Sequence, residues 1–556
     1  MKSHSTLFLC ILFFSLQGFT QLSESQYQQI DSLFIEWNMP NHPGGTVGIM
    51  EKDRLVFSKA YGLASLEYLV PNSTSTLFNI ASVSKQFTAM GIVRLHMEGK
   101  LSVDDDIRKY LTELPDFGET ITIRHMLHHT SGLRSLHALL NLAGWREDDA
   151  RTDEDLFRFM ANQRELNFKP GEEYLYCNTG YIFMARIIEK VTKEDFPSWI
   201  KQEIFEPLGM THTYVEDNYM RVVPQNATSY YGSASGGFDR AVEYWGYVGS
   251  GNMHSTTNDL LKWSQNFYNP QPGWKEAFDM LQTLDPFNNG EENTYAFGVT
   301  VSEVHGHKRV DHGGAIGGFR SFIGTYPEKE LGIVVLSNFS SSGVGGKAYQ
   351  IGEILMGKEE EAIGNNLYES LPTITLSNKE LAAFEASYWN DASNYARKIY
   401  LRNDTLRYFR SENNESPLVP IGSNEFQMWG VNGDYKVKFE GGLDGGKTMV
   451  VIYENGAPII SEEFEPFSPS LEDLDDYRGE FYSPELETTY TIAIKDETLY
   501  CHHVRHGDFD MNVLKKDVID VQYPIGIAKF ERDKRGEIAG MRVSNGRVRD
   551  LWFEKR

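Results

Sequence analysis

Cysteine is scarce in this sequence of 556 residues, which contains only Cys10, Cys177 and Cys501. Cys10 lies in an apolar N-terminal segment, and the other two fall in different predicted domains, so we expect no disulfide between them. No cysteine cluster has the spacing of a zinc site. We therefore expect hydrophobic cores to stabilise the fold, and we predict no cofactor.

Positive charge is also scarce, because 53 lysines and arginines stand against 78 aspartates and glutamates. The formal net charge is −25 at pH 7. A surface of this sign repels phosphate backbones and anionic membranes. We therefore expect no nucleic-acid partner.

Long apolar runs are missing beyond the N-terminus. Residues 7–16 form an apolar stretch that is too short to span a bilayer; Lys2 precedes it and a polar segment follows it. This pattern is typical of a secretory signal peptide, with cleavage near residues 20 and 21. Apolar residues continue beyond Cys10, which argues against a lipid on that cysteine. We predict a signal peptide at residues 1–20 and a periplasmic or secreted protein without a stable membrane anchor.

Residues 24–357 mix helical and strand patterns and form the first predicted domain. Hairpin patterns lie at both of its ends, at residues 45–60 and 319–336, with mostly helical segments between them. Strands at both ends indicate an antiparallel sheet that both ends complete, with an inserted helical lobe. We predict a two-lobed α+β domain with a cleft at the seam of the lobes.

An internal repeat occupies the C-terminal region. Leu381 and Tyr388 recur 93 residues later as Leu474 and Phe481, in a register without gaps. The repeat and the alternating apolar residues indicate two tandem antiparallel all-β domains, each a small barrel. We place a linker at residues 358–370 and the two domains at residues 371–468 and 469–556. We expect a structural or gating role for them; independent carbohydrate-binding modules are the alternative.

The sequence Ser82-Val-Ser-Lys85 opens a predicted helix. Residues three apart share a helix face, so Ser82 Oγ and Lys85 Nζ can meet. A serine hydroxyl needs a neighbour that takes its proton, and a crowded lysine can hold a lowered pKa. Ser198 and Lys201 have the same spacing in a predicted amphipathic helix. The spacing alone is therefore weak evidence, and the prediction depends on two further motifs.

The second motif is Tyr176-Cys-Asn178, directly before a predicted helix. A tyrosine beside a lysine can be a phenolate or relay a proton. An asparagine amide can hold both the lysine and a substrate carbonyl. Tyr176 and Asn178 are therefore candidate site residues.

The third motif is His312-Gly313-Gly314-Ala315, which leads into a predicted strand. Two glycines let a backbone approach a ligand closely. Ala315 N–H is a candidate oxyanion donor. His312 would supply a polar or positive group over the cleft.

Two groups of histidines invite a metal hypothesis: His125, His128 and His129, and His502, His503 and His506. Neither group has a glutamate placed as in His-Glu-x-x-His, so we predict no metal site. The absence of Gly-x-Ser-x-Gly excludes the nucleophile elbow of the α/β hydrolases.

Taken in chain order, three motifs resemble those of the serine β-lactamase and penicillin-binding-protein superfamily: Ser82-x-x-Lys85, Tyr176-x-Asn178 and His312-Gly-Gly. The branch they resemble includes class C β-lactamases, DD-peptidases, D-aminopeptidases and related esterases. Residues 122–133 and 249–256 also resemble segments of that branch. The resemblance covers about residues 30 to 355.

The resemblance implies a role for each matching residue. Ser82 would be the acylated nucleophile, and Lys85 its activating base or proton relay. Tyr176 would be the general base, which also activates the deacylating water. Asn178 would bind the substrate, and the N–H groups of Ser82 and Ala315 would form the oxyanion hole.

One motif departs from the family pattern. Many members have Lys-Thr-Gly where this chain has His312-Gly313-Gly314, and a histidine is only partly charged near neutral pH. D-aminopeptidases with His-Gly-Gly and two trailing barrels belong to the same family, as do esterases and amidases with the histidine. We predict an exported serine hydrolase of the D-aminopeptidase, DD-peptidase or esterase type, acting on a small molecule or peptide, with D-amino-acid or cell-wall-derived compounds as candidate substrates. The alternatives are a class C-like β-lactamase and a non-catalytic penicillin-binding-like receptor.

Overall fold

The computed structural model describes residues 22–233, 235–304, 306–357, 373–411, 414–431, 435–441, 446–453 and 458–556. The predicted signal peptide at residues 1–20 and the predicted linker at residues 358–370 lie outside these ranges. None of the helices in these ranges combines the length and the apolar character that crossing a bilayer requires. Cys177 and Cys501 are buried, and both are free thiols.

The N-terminal domain contains the helices and strands of both predicted lobes. Its described helices are α1 (Glu24–Ser32), α2 (Lys85–Met97), α3 (Ile123–Leu127), α4 (Leu136–Leu142), α5 (Asp153–Asn162), α6 (Asn178–Thr192), α7 (Phe196–Ile200), α8 (Thr257–Gln265), α9 (Lys275–Leu281) and α10 (Val344–Met356). Its described strands are β1 (Gly45–Glu51), β2 (Arg54–Tyr61), β3 (Leu63–Ser65), β4 (Val70–Pro71), β5 (Phe78–Asn79), β6 (Tyr214–Val215), β7 (Tyr230–Ser233), β8 (Gly237–Arg240), β9 (Met253–Ser255), β10 (Thr300–Val304), β11 (His307–Ile316), β12 (Phe319–Tyr326) and β13 (Leu331–Ser337). Single helical turns lie at Ile35–Asn38, Ala81–Ser84, Ile107–Lys109, Lys201–Phe205 and Pro327–Lys329.

An antiparallel sheet of six described strands, in the order β10-β11-β12-β13-β1-β2, forms the first lobe. Strand β1 from the start of the domain pairs with β13 from its end, which places Gly45 opposite Ser337. Side chains of β13 alternate between two cores: Ile333 packs on the side of α1 and α10, and Val334 on the side of α8. Because both faces are covered, β13 is apolar along its length. The prediction that both ends of the domain complete one sheet is confirmed.

Helix α2 forms the centre of the helical lobe, where it packs against α6 and α9. Every residue from Lys85 to Val93 is buried, so this part of the helix has no solvent-facing side. A Cβ on Gly91 would lie 2.8 Å from Ile188 Cδ1, so the close approach of α2 and α6 depends on a glycine. The reactive end of α2 is therefore held in a tightly packed core.

Two closed antiparallel barrels of eight described strands each follow the first domain. The first barrel contains α11 (Asn378–Ala382), β14 (Ala386–Asn390), β15 (Tyr395–Arg402), β16 (Thr405–Ser411), β17 (Asn414–Pro420), β18 (Glu425–Met428), β19 (Tyr435–Gly441), β20 (Lys447–Tyr453) and β21 (Ile459–Phe464). The second contains α12 (Leu471–Asp475), β22 (Gly479–Ser483), β23 (Thr488–Lys495), β24 (Thr498–His503), β25 (Gly507–Lys515), β26 (Val518–Val521), β27 (Gly526–Arg532), β28 (Ile538–Ser544) and β29 (Leu551–Lys555). Helix α11 and strand β14 recur 93 residues later as α12 and β22. The predicted fold class is confirmed.

The second barrel packs directly against the helical lobe. Its core is continuous with the core of the first domain, whereas the first barrel has a core of its own. Arg134 Nη1 lies 2.8 Å from Glu485 Oε2, and the two side chains are 0% and 3% exposed. Tyr490 Oη donates to the carbonyl oxygen of Leu142 at 2.9 Å. This docking brings loops of the second barrel to the cleft of the first domain.

Candidate active site

Ser82 lies in a 3₁₀ turn, Ala81–Ser84, directly before α2 rather than inside it. Ala81 has a φ of 49°, a backbone region that L-residues seldom adopt. Its N–H donates to Asn79 Oδ1 at 2.9 Å. The adjoining N–H of Ile80 donates to the Met253 carbonyl at 2.8 Å. These contacts hold the turn that carries the nucleophile.

Lys85 Nζ is buried among three oxygen atoms, at 3.1 Å from Ser82 Oγ, 2.8 Å from Asn178 Oδ1 and 2.7 Å from the Ser250 carbonyl. Burial lowers the pKa of Lys85 well below its ordinary value, and the nearby Arg547 lowers it further. A neutral amine has two N–H donors and one lone pair. The amide oxygen and the carbonyl oxygen can only accept, so they take both donors. The lone pair is left for the Ser82 hydroxyl.

Tyr176 lies beside Lys85 and lines a cleft together with Ser82. Its hydroxyl is buried and has no hydrogen-bond partner among the described residues. The centroid of its ring lies 4.7 Å from Lys85 Nζ. Burial raises the pKa of Tyr176 above its ordinary value, and the Ser82 hydroxyl opposes this rise. In the resting site Tyr176 is a neutral phenol, so the geometry favours Lys85 over Tyr176 as the base for acylation.

Asn178 is the first residue of α6, so it lies inside the helix that was predicted to follow it. The N–H of Cys177, the residue before it, donates to His129 Nδ1 at 3.1 Å. The His129 ring packs against Tyr176, with centroids 4.2 Å apart, and against Tyr295 at 4.5 Å. The segment at residues 122–133 therefore positions the tyrosine and the asparagine.

The histidines of the two groups make other contacts. In the first group, His128 Nδ1 lies 2.8 Å from the Tyr295 carbonyl. The second group has three different partners: His502 with Asp508, His503 with Thr488, and His506 with the Asn141 carbonyl. Across the described ranges, no group of His, Cys, Asp or Glu has the arrangement of a metal site.

Strand β11 presents a free backbone edge to the nucleophile. Its pairing with β10 ends at Asp311, whereas its pairing with β12 continues to Ile316. The segment from His312 to Ile316 therefore has one unpaired edge in the described structure. Ala315 on this segment and Ser82 line the same two clefts. This arrangement brings together the two residues predicted to form the oxyanion hole.

Gly314 lies where β11 packs against the nucleophile turn. A Cβ on Gly314 would meet the Ile80 carbonyl oxygen at 2.4 Å and Ser321 Oγ at 2.2 Å. Ser321 Oγ itself donates to that carbonyl at 2.7 Å, so neither atom has room to move. Only glycine fits at this position.

Replacing Gly314 by alanine is expected to push β11 away from the nucleophile turn. Overpacking of this kind costs about 1–3 kcal/mol of the free energy of unfolding. At Gly313 the nearest atom to an added Cβ lies 3.9 Å away, an ordinary contact. Gly313→Ala is therefore expected to change the free energy by about 0.5 kcal/mol or less. Urea unfolding of both variants checks this, and equal losses would contradict it.

His312 is buried beside Tyr176 and Tyr295, and its Nε2 lies 2.9 Å from Tyr295 Oη. Burial is the main cause that lowers the pKa of His312 to about 3, and Lys85 adds to this lowering when its amine is protonated. The ring is therefore neutral at physiological pH. His312 supplies a polar group at the cleft and no positive charge.

Two clefts meet at Ser82. The first has a volume of about 280 Å³, and its lining includes His137, Asn141, Trp245, Tyr247 and Tyr523. The second has a volume of about 420 Å³, and its lining includes Tyr176, His312, Gly313 and Gly314. Four residues line both clefts: Ser82, Asn178, Ala315 and Arg547. The residues of this site that the sequence analysis did not assign to it include Ser250, Tyr295 and Arg547.

Comparisons with known proteins relate this chain to others. The family model described as Beta-lactamase matches residues 31–355. The chain is 26% identical over 460 residues to penicillin-binding protein 4* of Bacillus subtilis (strain 168), covering 78% of this chain and 98% of that protein. It is 27% identical over 301 residues to the D-aminopeptidase of Gluconobacter oxydans (strain 621H), covering 54% and 56%. The structure of the octameric penicillin-binding protein homologue from Pyrococcus abyssi aligns with a TM-score of 0.55 and 25% identity, over 79% of this chain and 100% of that chain.

Proposed function

The chain belongs to the beta-lactamase family, and on this premise we propose that it is an exported serine hydrolase that cleaves amide or ester bonds through an acyl-enzyme on Ser82. The predicted resemblance to the serine β-lactamase and penicillin-binding-protein superfamily is confirmed by the family match and by the relatives. Export is supported by the apolar segment at residues 7–16 behind Lys2.

The observation that carries the proposal is the environment of Lys85 Nζ. Nζ lies 2.8 Å from Asn178 Oδ1, 2.7 Å from the Ser250 carbonyl and 3.1 Å from Ser82 Oγ. When the amine is neutral, its two N–H groups can donate to the first two oxygens and its lone pair can accept from the Ser82 hydroxyl. A nucleophile and a base within hydrogen-bond reach, with the base oriented by further groups, are the elements of covalent catalysis. This arrangement supports Ser82 as the nucleophile and Lys85 as its base.

In the proposed acylation, Ser82 Oγ attacks the carbonyl carbon of the scissile bond while its proton passes to Lys85 Nζ. The N–H groups of Ser82 and Ala315 bind the oxyanion of the tetrahedral intermediate. When the intermediate collapses, the bond to the leaving amine or alkoxide breaks, and the leaving group takes the proton from Lys85. We assign an assisting role in this transfer to Tyr176, because its ring lies 4.7 Å from Lys85 Nζ. The products are an ester on Ser82 and a neutral Lys85.

Deacylation uses the same groups in reverse. A water molecule attacks the ester carbon, and its proton passes to Lys85 Nζ or through the hydroxyl of Tyr176. The tetrahedral intermediate expels Ser82 Oγ, which takes a proton back from Lys85. The released acid and the free serine complete the cycle.

The form of the clefts supports a small acyclic substrate. The first cleft, at about 280 Å³, is near the lower end of the range of about 300–1,000 Å³ that is typical of ligand pockets. His312 is neutral, so it offers no permanent charge where many relatives have lysine. The size of the first cleft favours a small D-peptide, D-amino-acid amide or ester over a bulky β-lactam.

A substrate panel run beside Ser82→Ala tests the proposal. D-amino-acid amides, p-nitrophenyl esters, D-Ala-D-Ala peptides and nitrocefin are compared by kcat/KM. We expect turnover of an ester or a D-peptide to exceed that of nitrocefin, and Ser82→Ala to abolish it. Dominant nitrocefin turnover would instead support a true β-lactamase. No covalent adduct on Ser82 with a fluorophosphonate or penicillin probe would support a non-catalytic receptor.

A further inference from the structure

Loops of the second barrel contribute side chains to the cleft around Ser82. Arg547 lies between β28 and β29 and lines both clefts. Tyr523 lies between β26 and β27 and lines the first cleft, where it accepts a hydrogen bond from Asn141 Nδ2. The guanidinium carbon of Arg547 lies 5.1 Å from the centroid of the Tyr176 ring. Residues near the C-terminal end of the sequence therefore lie beside the candidate catalytic residues.

The backbone of the Arg547 loop is fixed to the helical lobe. The Arg547 carbonyl accepts from the Ser135 N–H at 3.3 Å and from Asn167 Nδ2 at 3.2 Å. Val548 is fully buried, and its N–H donates to Asn545 Oδ1 at 3.1 Å. The position of Arg547 is thus set by contacts on both sides, which suits a binding residue.

Arg547 differs from the other arginines of this interface. Three arginines of the second barrel form ion pairs with the helical lobe and its adjoining segments: Arg505 with Asp149, Arg542 with Glu165, and Arg549 with Glu173. Within the described part of the chain, no carboxylate oxygen lies within 4.0 Å of the Arg547 guanidinium, and that group makes no hydrogen bond. The guanidinium lies against the ring of Tyr176, and within the described ranges its charge has no carboxylate partner.

The other charged groups that line the first cleft are already engaged. Arg320 Nη1 donates to the carbonyls of Gly317 and Phe319. Glu147 lies 3.6 Å from Arg151 Nη2. The whole protein carries a net charge of −25. Arg547 is thus a positive charge without an ion pair in the described structure, beside Ser82, in a protein that is negative overall. A local cation of this kind attracts an anionic substrate group.

We propose that Arg547 determines specificity by binding a carboxylate of the substrate during acylation at Ser82. This inference rests on the proposed function and names the substrate class: amides or esters that carry a free carboxylate. A guanidinium presents two parallel N–H donors to a carboxylate and stays charged at every physiological pH. Arg547 thus supplies the permanent charge that the neutral His312 lacks. The second barrel is then part of the substrate site.

A pair of esters that differ only in charge tests this inference. The kcat/KM of the full-length protein is measured with 3-carboxyphenyl acetate and with 3-carbamoylphenyl acetate. Each value is divided by the rate constant of hydroxide-catalysed hydrolysis of the same ester. The ratio of the two normalised values measures carboxylate selectivity. Because both esters meet the same Ser82 and Lys85, a variant that only perturbs the chemistry changes both values alike.

We expect the wild-type ratio to favour the carboxylate ester, and Arg547→Gln to lower the ratio by about 10- to 100-fold, the usual worth of a hydrogen bond to a charged group. Arg547→Lys keeps the positive charge but lacks the two parallel N–H donors of the guanidinium. Its ratio is therefore expected to lie between those of the wild-type protein and Arg547→Gln. The matched control is Arg549→Gln, two residues away, whose side chain pairs with Glu173. It is expected to keep the wild-type ratio.

The outcomes separate the two proposals. If Arg547→Gln leaves the ratio at the wild-type value while both esters are hydrolysed, the carboxylate assignment is wrong and the hydrolase proposal stands. If Arg549→Gln lowers the ratio as much as Arg547→Gln does, the loss comes from disturbed packing of the second barrel on the helical lobe. The assignment of Arg547 as the carboxylate-binding residue is then wrong as well. If the wild-type protein hydrolyses neither ester and no probe labels Ser82, the proposed function itself fails.

Discussion

Replacing Lys85 by alanine is expected to lower kcat/KM for a p-nitrophenyl ester by about 1,000-fold or more. The substitution removes the lone pair that faces Ser82 Oγ at 3.1 Å. It also leaves Asn178 Oδ1 and the Ser250 carbonyl without the donor that they share. Neither oxygen can replace the lysine, because an amide or carbonyl oxygen is far too weak a base to take the serine proton at neutral pH.

The chain provides a matched control in its second Ser-x-x-Lys sequence. Lys201 follows α7 and is exposed, with its Nζ 3.7 Å from Glu206. Lys201→Ala is expected to retain wild-type kcat/KM, because the Lys201 side chain is exposed to solvent and lies beside Glu206, outside the cleft around Ser82. Wild-type activity in Lys85→Ala, or equal losses in both variants, would contradict the assignment of Lys85 as the base.

Replacing Glu485 by alanine is expected to lower the free energy of unfolding by about 3–5 kcal/mol. The cost comes from Arg134, whose side chain is fully buried and would lose its only buried carboxylate partner, so that the half-exposed Glu165 at 3.7 Å is the nearest negative charge left in the described structure. Glu485 Oε2 also accepts from the Arg164 N–H at 3.2 Å, so that donor loses its partner as well. Urea unfolding measured at the transition of the first domain checks this.

Glu487 is the matched control for this prediction. It lies two residues along the same barrel, and its Oε2 is 3.6 Å from Arg158, with side chains 48% and 53% exposed. Exposed ion pairs contribute about 0–1 kcal/mol, so Glu487→Ala is expected to have a small effect. If Glu485→Ala lowers the free energy of unfolding by less than about 1 kcal/mol, the docking of the second barrel does not depend on this buried ion pair.

The parts of the site that depend on local sequence could be predicted. Ser82 and Lys85 lie one turn apart, and Tyr176 and Asn178 lie at the start of a helix, so short-range geometry brings each pair together. The barrels could be predicted from their repeat, because buried residues such as Tyr388 recur at the same interval. Predictions of this kind succeed when the spacing along the chain itself sets the contact.

The remaining parts depend on contacts that no local pattern reveals. The Ser250 group that binds Lys85 is a backbone carbonyl, which has no side-chain signature. Arg547 reaches the site only because the second barrel docks on the helical lobe, through contacts such as Arg134 with Glu485. The neutral state of His312 follows from its burial, which its motif does not encode.

The pH dependence of Ser82 labelling by a fluorophosphonate probe tests the central claim, that Lys85 is the base for Ser82 and has a lowered pKa. The buried site lowers the pKa of Lys85 well below its ordinary value, so the amine gains its lone pair as the pH rises through that lowered pKa. We predict that the labelling rate rises with pH through an inflection far below the ordinary lysine pKa of about 10.4, and that Lys85→Ala removes this inflection. An inflection near pH 10.4, or the same inflection in Lys85→Ala, would contradict the claim.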